Sequence, residues 1–441
     1  MLVTEWPKSM DAWTRTKRSL AGGVSTGLRA QARPHPIFFS GGAGARLTDL
    51  DGNTYLDYVL GWGPDIIGHG HPELVRAVQA QIEHGATYGS GHEFEYLAAE
   101  AVLDAYPAFD RLVWSNSGSE AAQVALRIAR GATGRQKFVK LAGHYHGWTD
   151  PVLVGYRGGR AGSSSATESL GQSENASRDA VVLEWGDLDG LRATLAGSDI
   201  AAVVLEPVLC NSGVIEPPDG YLEGVREICT ETGAVLIFDE VITGFRLAFG
   251  GAVAKYGVVP DLAVLGKAIA GGLPLSAVVG KSELLDLTQN GVVHAGTYNG
   301  NPVVLAGALA TLNVLKREGT YDRLEALGRR LASGLRDQLT EYGVVGAVNQ
   351  VGPVVQCALG VTAIRTFREF MGADTKAYDL LLVELLRRGV FALPGGRWYL
   401  STEHTEHDID TTIRIFGEAV SVSSRTAAFP ASASPGVGEG S

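Results

Sequence analysis

Ala234-Val-Leu-Ile-Phe-Asp-Glu-Val241 and Asp261-Leu-Ala-Val-Leu-Gly-Lys-Ala268 decide how this chain is read. Each is a short apolar run that ends in a charged side chain and sits before a glycine-rich turn. Apolar runs of this length predict strands buried on both faces of a parallel sheet. Charged groups at the carboxyl ends of such strands lie in the crevice where open α/β sheets bind ligands. Asp239 and Lys267, though far apart in sequence, are thereby candidates to face one pocket. A carboxylate and an amine converging on one cofactor suit pyridoxal 5'-phosphate. The amine forms a Schiff base with the aldehyde, and the carboxylate keeps the pyridine nitrogen protonated so that the ring accepts electrons. An ordinary ion pair at a sheet edge accounts for the two residues equally well.

Outward from these runs the chain alternates strand and helix. Residues 112–114 precede a helix over 119–130, residues 137–141 precede a glycine-rich loop, and residues 201–205 precede a helix over 221–232. This alternation predicts a parallel sheet with helices on both faces. Upstream, the pattern predicts a helix over 11–20, short antiparallel strands about the Asp51-Gly52 turn, and helices over 73–84 and 94–106. Residues 155–178 lack periodicity and are rich in Gly and Ser; a loop of that length is a lid or disordered, and a lid is expected here. Beyond Asn301-Pro302, amphipathic helices over 303–317, 321–342 and 377–388 surround short strands over 344–348, 354–358 and 398–401. The expected organisation is an N-terminal segment, 1–60, joining a small α+β domain at 301–420, with a large domain at 61–300. A tail at 421–441, built of Ser, Ala, Pro and Gly, is expected to be disordered.

Composition narrows the function. A chain of 441 residues calls for a large domain with a smaller companion. A formal net charge of −11 argues against non-specific nucleic-acid binding and gives no reason to expect an anionic membrane partner. The three cysteines, Cys210, Cys229 and Cys357, lack metal-ligand spacing, so no metal is expected and a reduced, cytoplasmic setting is. Residues 1–10 contain no apolar core of signal-peptide length, and no apolar run is long enough to cross a bilayer.

Four further stretches carry chemistry. Ser115-Asn-Ser-Gly-Ser-Glu-Ala121 leads from a strand into a helix: Gly118 permits close approach, Ser117 and Ser119 supply hydroxyls, and free amides at the helix start favour a phosphate. A plain serine N-cap is the alternative. Gly143-His-Tyr-His-Gly147 offers Tyr145 to stack on a flat ring, with His144 or His146 at its edge. Glu206 and Asn211 follow a buried strand and point to the same crevice. In Gly296-Thr-Tyr-Asn-Gly-Asn-Pro302, Thr297 is a second phosphate ligand or a capping residue.

Taken in order, Asn116-Ser-Gly-Ser-Glu120, Tyr145-His-Gly147, Glu206-Pro207, Asp239-Glu-Val241 with Gly244-Phe-Arg246, Leu265-Gly-Lys267, and Gly296-Thr297 through Asn301-Pro302 resemble class III aminotransferases of fold type I. These are pyridoxal-phosphate enzymes, and the nearest branch is that of glutamate-1-semialdehyde 2,1-aminomutases and β-amino-acid aminotransferases. The resemblance runs from about Leu20 to Ala419. It implies a large domain with a mostly parallel seven-stranded sheet flanked by helices, plus a smaller α+β domain. Lys267 would then be the Schiff-base lysine and the proton-moving base, and Asp239 the partner of the pyridine nitrogen. Tyr145 and Val241 would press on the two ring faces, and Gly118 and Ser119 would hold the phosphate with Thr297 of a neighbouring subunit. Glu206 and Asn211 would lie near the ring hydroxyl.

Trp62 matches an aromatic wall of the substrate pocket, and Arg29 an arginine for the substrate carboxylate, a task that suits a planar bidentate donor; a surface arginine on a loop is the alternative. One departure stands out. Leu393-Pro-Gly-Gly-Arg-Trp-Tyr-Leu-Ser-Thr-Glu-His404 lacks the Phe-Glu-Ala-Gly run of the aminomutases and carries Arg397 instead, as β-amino-acid aminotransferases carry an arginine in this region. The resemblance therefore implies transfer of an amino group between an amino acid, β-amino acids included, and a carbonyl acceptor, in a homodimer with shared active sites. Aminomutase, racemase and decarboxylase chemistry on the same fold are the enzymatic alternatives. A scaffold that has lost the chemistry is the other.

Overall fold

The computed structural model describes residues 2–157, 167–197 and 199–425. The two opening runs form adjacent strands, Val235–Glu240 and Leu262–Leu265, paired in parallel with Asp239 opposite Val264 and Glu240 opposite Leu265. Both strands are wholly buried, so neither sequence needs to alternate. They lie within a seven-stranded sheet whose order is Arg111–Ser115, Ser276–Gly280, Leu262–Leu265, Val235–Glu240, Ile200–Leu205, Lys137–Leu141, Ala180–Leu183. Ser276–Gly280 runs antiparallel to both of its neighbours, which makes the sheet mostly rather than wholly parallel. That strand and Ala180–Leu183 have no counterpart in the sequence reading, because neither run leads into a motif that would mark it as a strand end.

The chain divides into two units, one of residues 63–323 and a second built from the described residues of 2–62 and 324–425. The helix Pro302–Leu315, expected in the smaller domain, belongs to the first unit and packs on Pro72–Ile82 and Glu93–Ala105. Its buried residues, among them Leu305, Ala306, Ala308, Leu312 and Val314, lie on several sides. It is an all-round buried helix rather than an amphipathic one.

The second unit holds a four-stranded sheet, ordered Phe39–Ala43, Arg46–Asp49, Thr54–Asp57, Val390–Phe391, and an antiparallel sheet of Gly346–Val351, Val354–Leu359 and Arg397–Tyr399. Leu331, Leu335, Leu381, Leu385, Trp398 and Phe416 lie at its core. The first helix spans Pro7–Thr16, earlier than the sequence pattern places it. Pro7 is pre-set for the first turn, and the Asp51 carboxylate accepts the amides of Lys8 (3.1 Å) and Ser9 (3.4 Å). The helix Glu406–Ser423 opens on a Thr405–Asp408 capping box and runs into the expected tail, whose residues 421–423 are helical; residues 426–441 lie outside the described residues. Of the expected lid, residues 158–166 likewise lie outside them. Its described flanks are tied down: Val154 bridges Thr167, Glu168 accepts the amides of Tyr156 and Arg157, and Ser173 caps Glu174–Ser177.

Candidate active site

The turn between the Arg111–Ser115 strand and the Gly118–Thr133 helix is set by a complete capping box. Ser117 Oγ accepts the amide of Glu120 (3.3 Å), and Glu120 Oε2 accepts the amides of Asn116 (2.9 Å) and Ser117 (2.8 Å). The N–H groups of Gly118 and Ser119, first in the helix, have no intrahelical carbonyl to bond and remain for an anion. The capping reading of this turn thus holds for Ser117. Ser117→Ala is expected to lower stability by about 1 kcal/mol, the worth of an N-cap, in urea unfolding.

Gly147 brings the histidine turn onto this helix start. Its φ is +104°, and a Cβ there would stand 2.8 Å from Ser119 Cα, so only glycine allows the approach. The turn is braced from beneath. Buried Glu206 accepts the amides of Tyr145 (2.9 Å), Cys210 (3.0 Å) and Asn211 (3.1 Å), while His144 Nδ1 accepts the amide of Glu206 (2.9 Å). An Nδ1 that accepts requires a neutral imidazole, and burial, with His146 and Lys140 nearby, holds His144 well below the usual histidine range. Burial, then the Asp239 charge, raises the Glu206 carboxyl. His146 Nδ1 lies 2.7 Å from Asp239 Oδ2, and Val241 donates its amide to Oδ1 (3.1 Å). The sequence does not distinguish His144 from His146; the structure pairs His146 with the aspartate.

Asp239 and Lys267 do face one cavity, of about 320 Å³. Ser117, Gly118, Ser119, Tyr145, Glu206, Asn211 and Val241 line it with them, as do Asn116, His146 and Leu273. Lys267 has a φ of +44°, a left-handed conformation that is strained for a side chain of its size. Thr297 is exposed and does not line this cavity. Arg29, Trp62 and Arg397 belong to the other unit. Arg29 is exposed in the turn Gly27–Gln31, Trp62 is half-buried with a φ of +74°, and the Arg397 guanidinium stands 5.4 Å from the Tyr399 ring centre.

Beside Asp239, fully buried Glu240 turns away from the cavity. It accepts the amides of Ala252 (2.6 Å) and Val253 (3.2 Å) and the hydroxyl of Thr243 (2.8 Å), anchoring the loop that follows the strand. Burial pushes its carboxyl up from 4.5 to about 7 against those three donors. Between these values the folded chain keeps a proton that the unfolded chain has released, so this group's contribution to stability is lost as pH rises towards 7. Glu240→Gln is therefore expected to flatten the fall in melting temperature across that window; parallel pH curves for the two proteins would contradict it.

The sequence pattern of class III aminotransferases matches residues 28–401. The chain belongs to that family. It is 41% identical, over 92% of its own length and 96% of the relative's, to the glutamate-1-semialdehyde 2,1-aminomutase of Desulfitobacterium hafniense strain DSM 10664 / DCB-2. Among solved structures, a transaminase with PLP bound is 30% identical, with a TM-score of 0.88 over 96% of this chain and 99% of that one. A β-phenylalanine aminotransferase from Variovorax paradoxus is 28% identical, with a TM-score of 0.86 over 97% and 96%. The fold is that of the fold-type-I transferases, and this class III aminotransferase is a pyridoxal-phosphate-dependent enzyme.

The residues present fit that cofactor. One cavity combines helix-start amides for a phosphate, an amine for an aldehyde, a buried carboxylate for a ring nitrogen, and an aromatic with a branched aliphatic for a flat ring. Val241 also lies close over the helix start, where a Cβ on Gly118 would come within 3.1 Å of its Cγ2.

Proposed function

We propose that this enzyme moves an amino group between an amino acid and a carbonyl acceptor, with Lys267 as its catalytic amine. The observation that carries the reading is Lys267 and Asp239 facing one cavity beside free helix-start amides. When bound, the cofactor supplies an electron sink for the substrate carbon that loses its proton. Lys267 would hold the cofactor at its aldehyde and, as a free amine, would take the proton that the substrate carbon gives up. Asp239, steadied by His146 and the Val241 amide, holds the proton on the pyridine nitrogen. Gly118 and Ser119 bind the phosphate, Tyr145 and Val241 pack against the ring, and Glu206 and Asn211 lie towards the ring hydroxyl. Arg29, Trp62 and Arg397 are assigned to the substrate on the resemblance alone. Borohydride reduction of the protein loaded with pyridoxal phosphate, followed by peptide mapping, is expected to mark Lys267; a mark elsewhere would overturn the assignment.

The same reading makes the working enzyme a cytoplasmic homodimer in which Thr297 serves the partner's phosphate. Its support is the exposed Thr297 and the exposed apolar side chains of its own segment, Val293 (68%) and Tyr298 (64%), together with Trp148 (73%). Trp148 also donates its amide to Ser119 Oγ (3.3 Å), at the phosphate turn itself. A monomer in sedimentation at micromolar concentration would contradict this part.

Aminomutase chemistry is the second reading, favoured by the 41% identity to the Desulfitobacterium enzyme. The segment around Arg397, without the Phe-Glu-Ala-Gly run, favours intermolecular transfer instead. Single-substrate incubations separate the two. A transaminase leaves a keto product only with an acceptor or in one turnover, whereas an aminomutase converts glutamate 1-semialdehyde to its isomer without either.

A further inference from the structure

Lys140 sits in the sheet, on the strand Lys137–Leu141, and is fully buried. It does not line the cofactor cavity, and among the described residues it forms no ion pair. Its ammonium instead donates to two backbone carbonyls, that of His144 at 2.9 Å and that of Val154. Burying an ammonium is costly unless its donors are met, and a methionine would fill the same space without that cost. The two carbonyls show what the amine holds. One lies in the turn that carries Tyr145 and His146; the other lies in the returning segment, where Gly155 O accepts the Gly143 amide at 2.7 Å.

The turn is thereby clamped from two sides. Towards the cavity, Glu206 takes the Tyr145 amide and Asp239 faces His146. Towards the core, Lys140 draws the His144 and Val154 carbonyls together. We propose that Lys140 is a positioning residue, fixing the backbone of the Gly143–Gly147 turn so that Tyr145 meets the cofactor ring and His146 meets Asp239. This rests on reading the cavity as the pyridoxal-phosphate site.

The test compares wild type with Lys140→Met. In the cofactor-free proteins, hydrogen exchange of amides 143–148 and 154–157 is expected to quicken about tenfold or more, the usual consequence of losing buried hydrogen bonds to a charged donor. Exchange in the Tyr221–Thr232 helix stays at the wild-type rate. With pyridoxal phosphate added, the dissociation constant rises about tenfold by titration, and the visible circular dichroism of the bound cofactor shrinks as the ring loses its fixed seat. Wild-type exchange in the variant overturns the proposal. Faster exchange with wild-type affinity and dichroism reduces Lys140 to a packing role and overturns it too. Lys140→Gln, which offers a shorter amide in place of the amine, is the milder variant: intermediate values support the proposal, wild-type values refute it. The exchange measurement needs no cofactor, so it judges Lys140 even if wild type binds none, a result that would instead sink the reading of the cavity.

Discussion

Lys267→Ala is expected to leave a folded protein whose turnover falls by about 10²–10⁴-fold, because the proposed reading gives the proton transfer to this one positioned amine. Lys267 is the only primary amine among the residues lining the cavity, so no neighbour can take over. The fold should survive: Lys267 already occupies a left-handed conformation at φ +44°, and alanine is strained there to a similar degree. Loss of the visible absorbance of the bound cofactor, read beside a wild-type far-ultraviolet spectrum, separates lost chemistry from lost structure. Lys267→Arg sharpens the test. Arginine keeps the positive charge but cannot be deprotonated in a protein, so it should be as inactive as alanine. Substantial activity in the arginine variant would mean that charge rather than proton transfer is the lysine's contribution.

What could be read from sequence follows how much signal each element carries. The central strands were legible because burial on both faces turns them into unbroken apolar runs, and each ends in a charge that must be accounted for. Ala180–Leu183 and Ser276–Gly280 escaped because neither run leads into a motif that would mark it as a strand end. The all-round apolar helix Pro302–Leu315 was visible as a helix, but its partners were not, since periodicity locates a face and says nothing about what covers it. Most of the cavity lining came from motifs at strand ends. Its supports did not. Glu206 as a clamp on three amides, Glu240 as an anchor turned from the cavity, and His146 on Asp239 all depend on contacts between residues distant in sequence. Nor could a serine-glycine-serine turn reveal that Ser117 caps the helix while its neighbours keep free amides. Lys140, the second lysine of the strand Lys137–Leu141, gave the hint of the core-side clamp, and a charged residue in a strand is ordinarily taken to face water, as Lys137 does.

Asp239→Asn is expected to lower turnover by roughly 10²–10³-fold, the usual cost of removing one preorganised electrostatic group, while cofactor binding weakens far less. The geometry explains the split. Asparagine keeps an oxygen to accept the Val241 amide, now at 3.1 Å, and turns its amide nitrogen towards His146 Nδ1, now 2.7 Å from the carboxylate. Facing an ionised carboxylate, Nδ1 must carry the hydrogen. His146 Nε2 has no hydrogen-bond partner among the described residues, so the ring can move its hydrogen there and let Nδ1 accept. The contacts therefore survive the substitution, and what disappears is the negative charge that the proposed reading sets against the pyridine nitrogen. Stability should stay within about 1 kcal/mol of wild type, as for a nearly isosteric change with its hydrogen bonds kept. Turnover with saturating donor and acceptor, set against cofactor affinity, reads the two effects separately. A variant as fast as wild type would mean that the carboxylate faces something other than the ring nitrogen, and equal losses in rate and affinity would mean that it serves mainly to hold the cofactor.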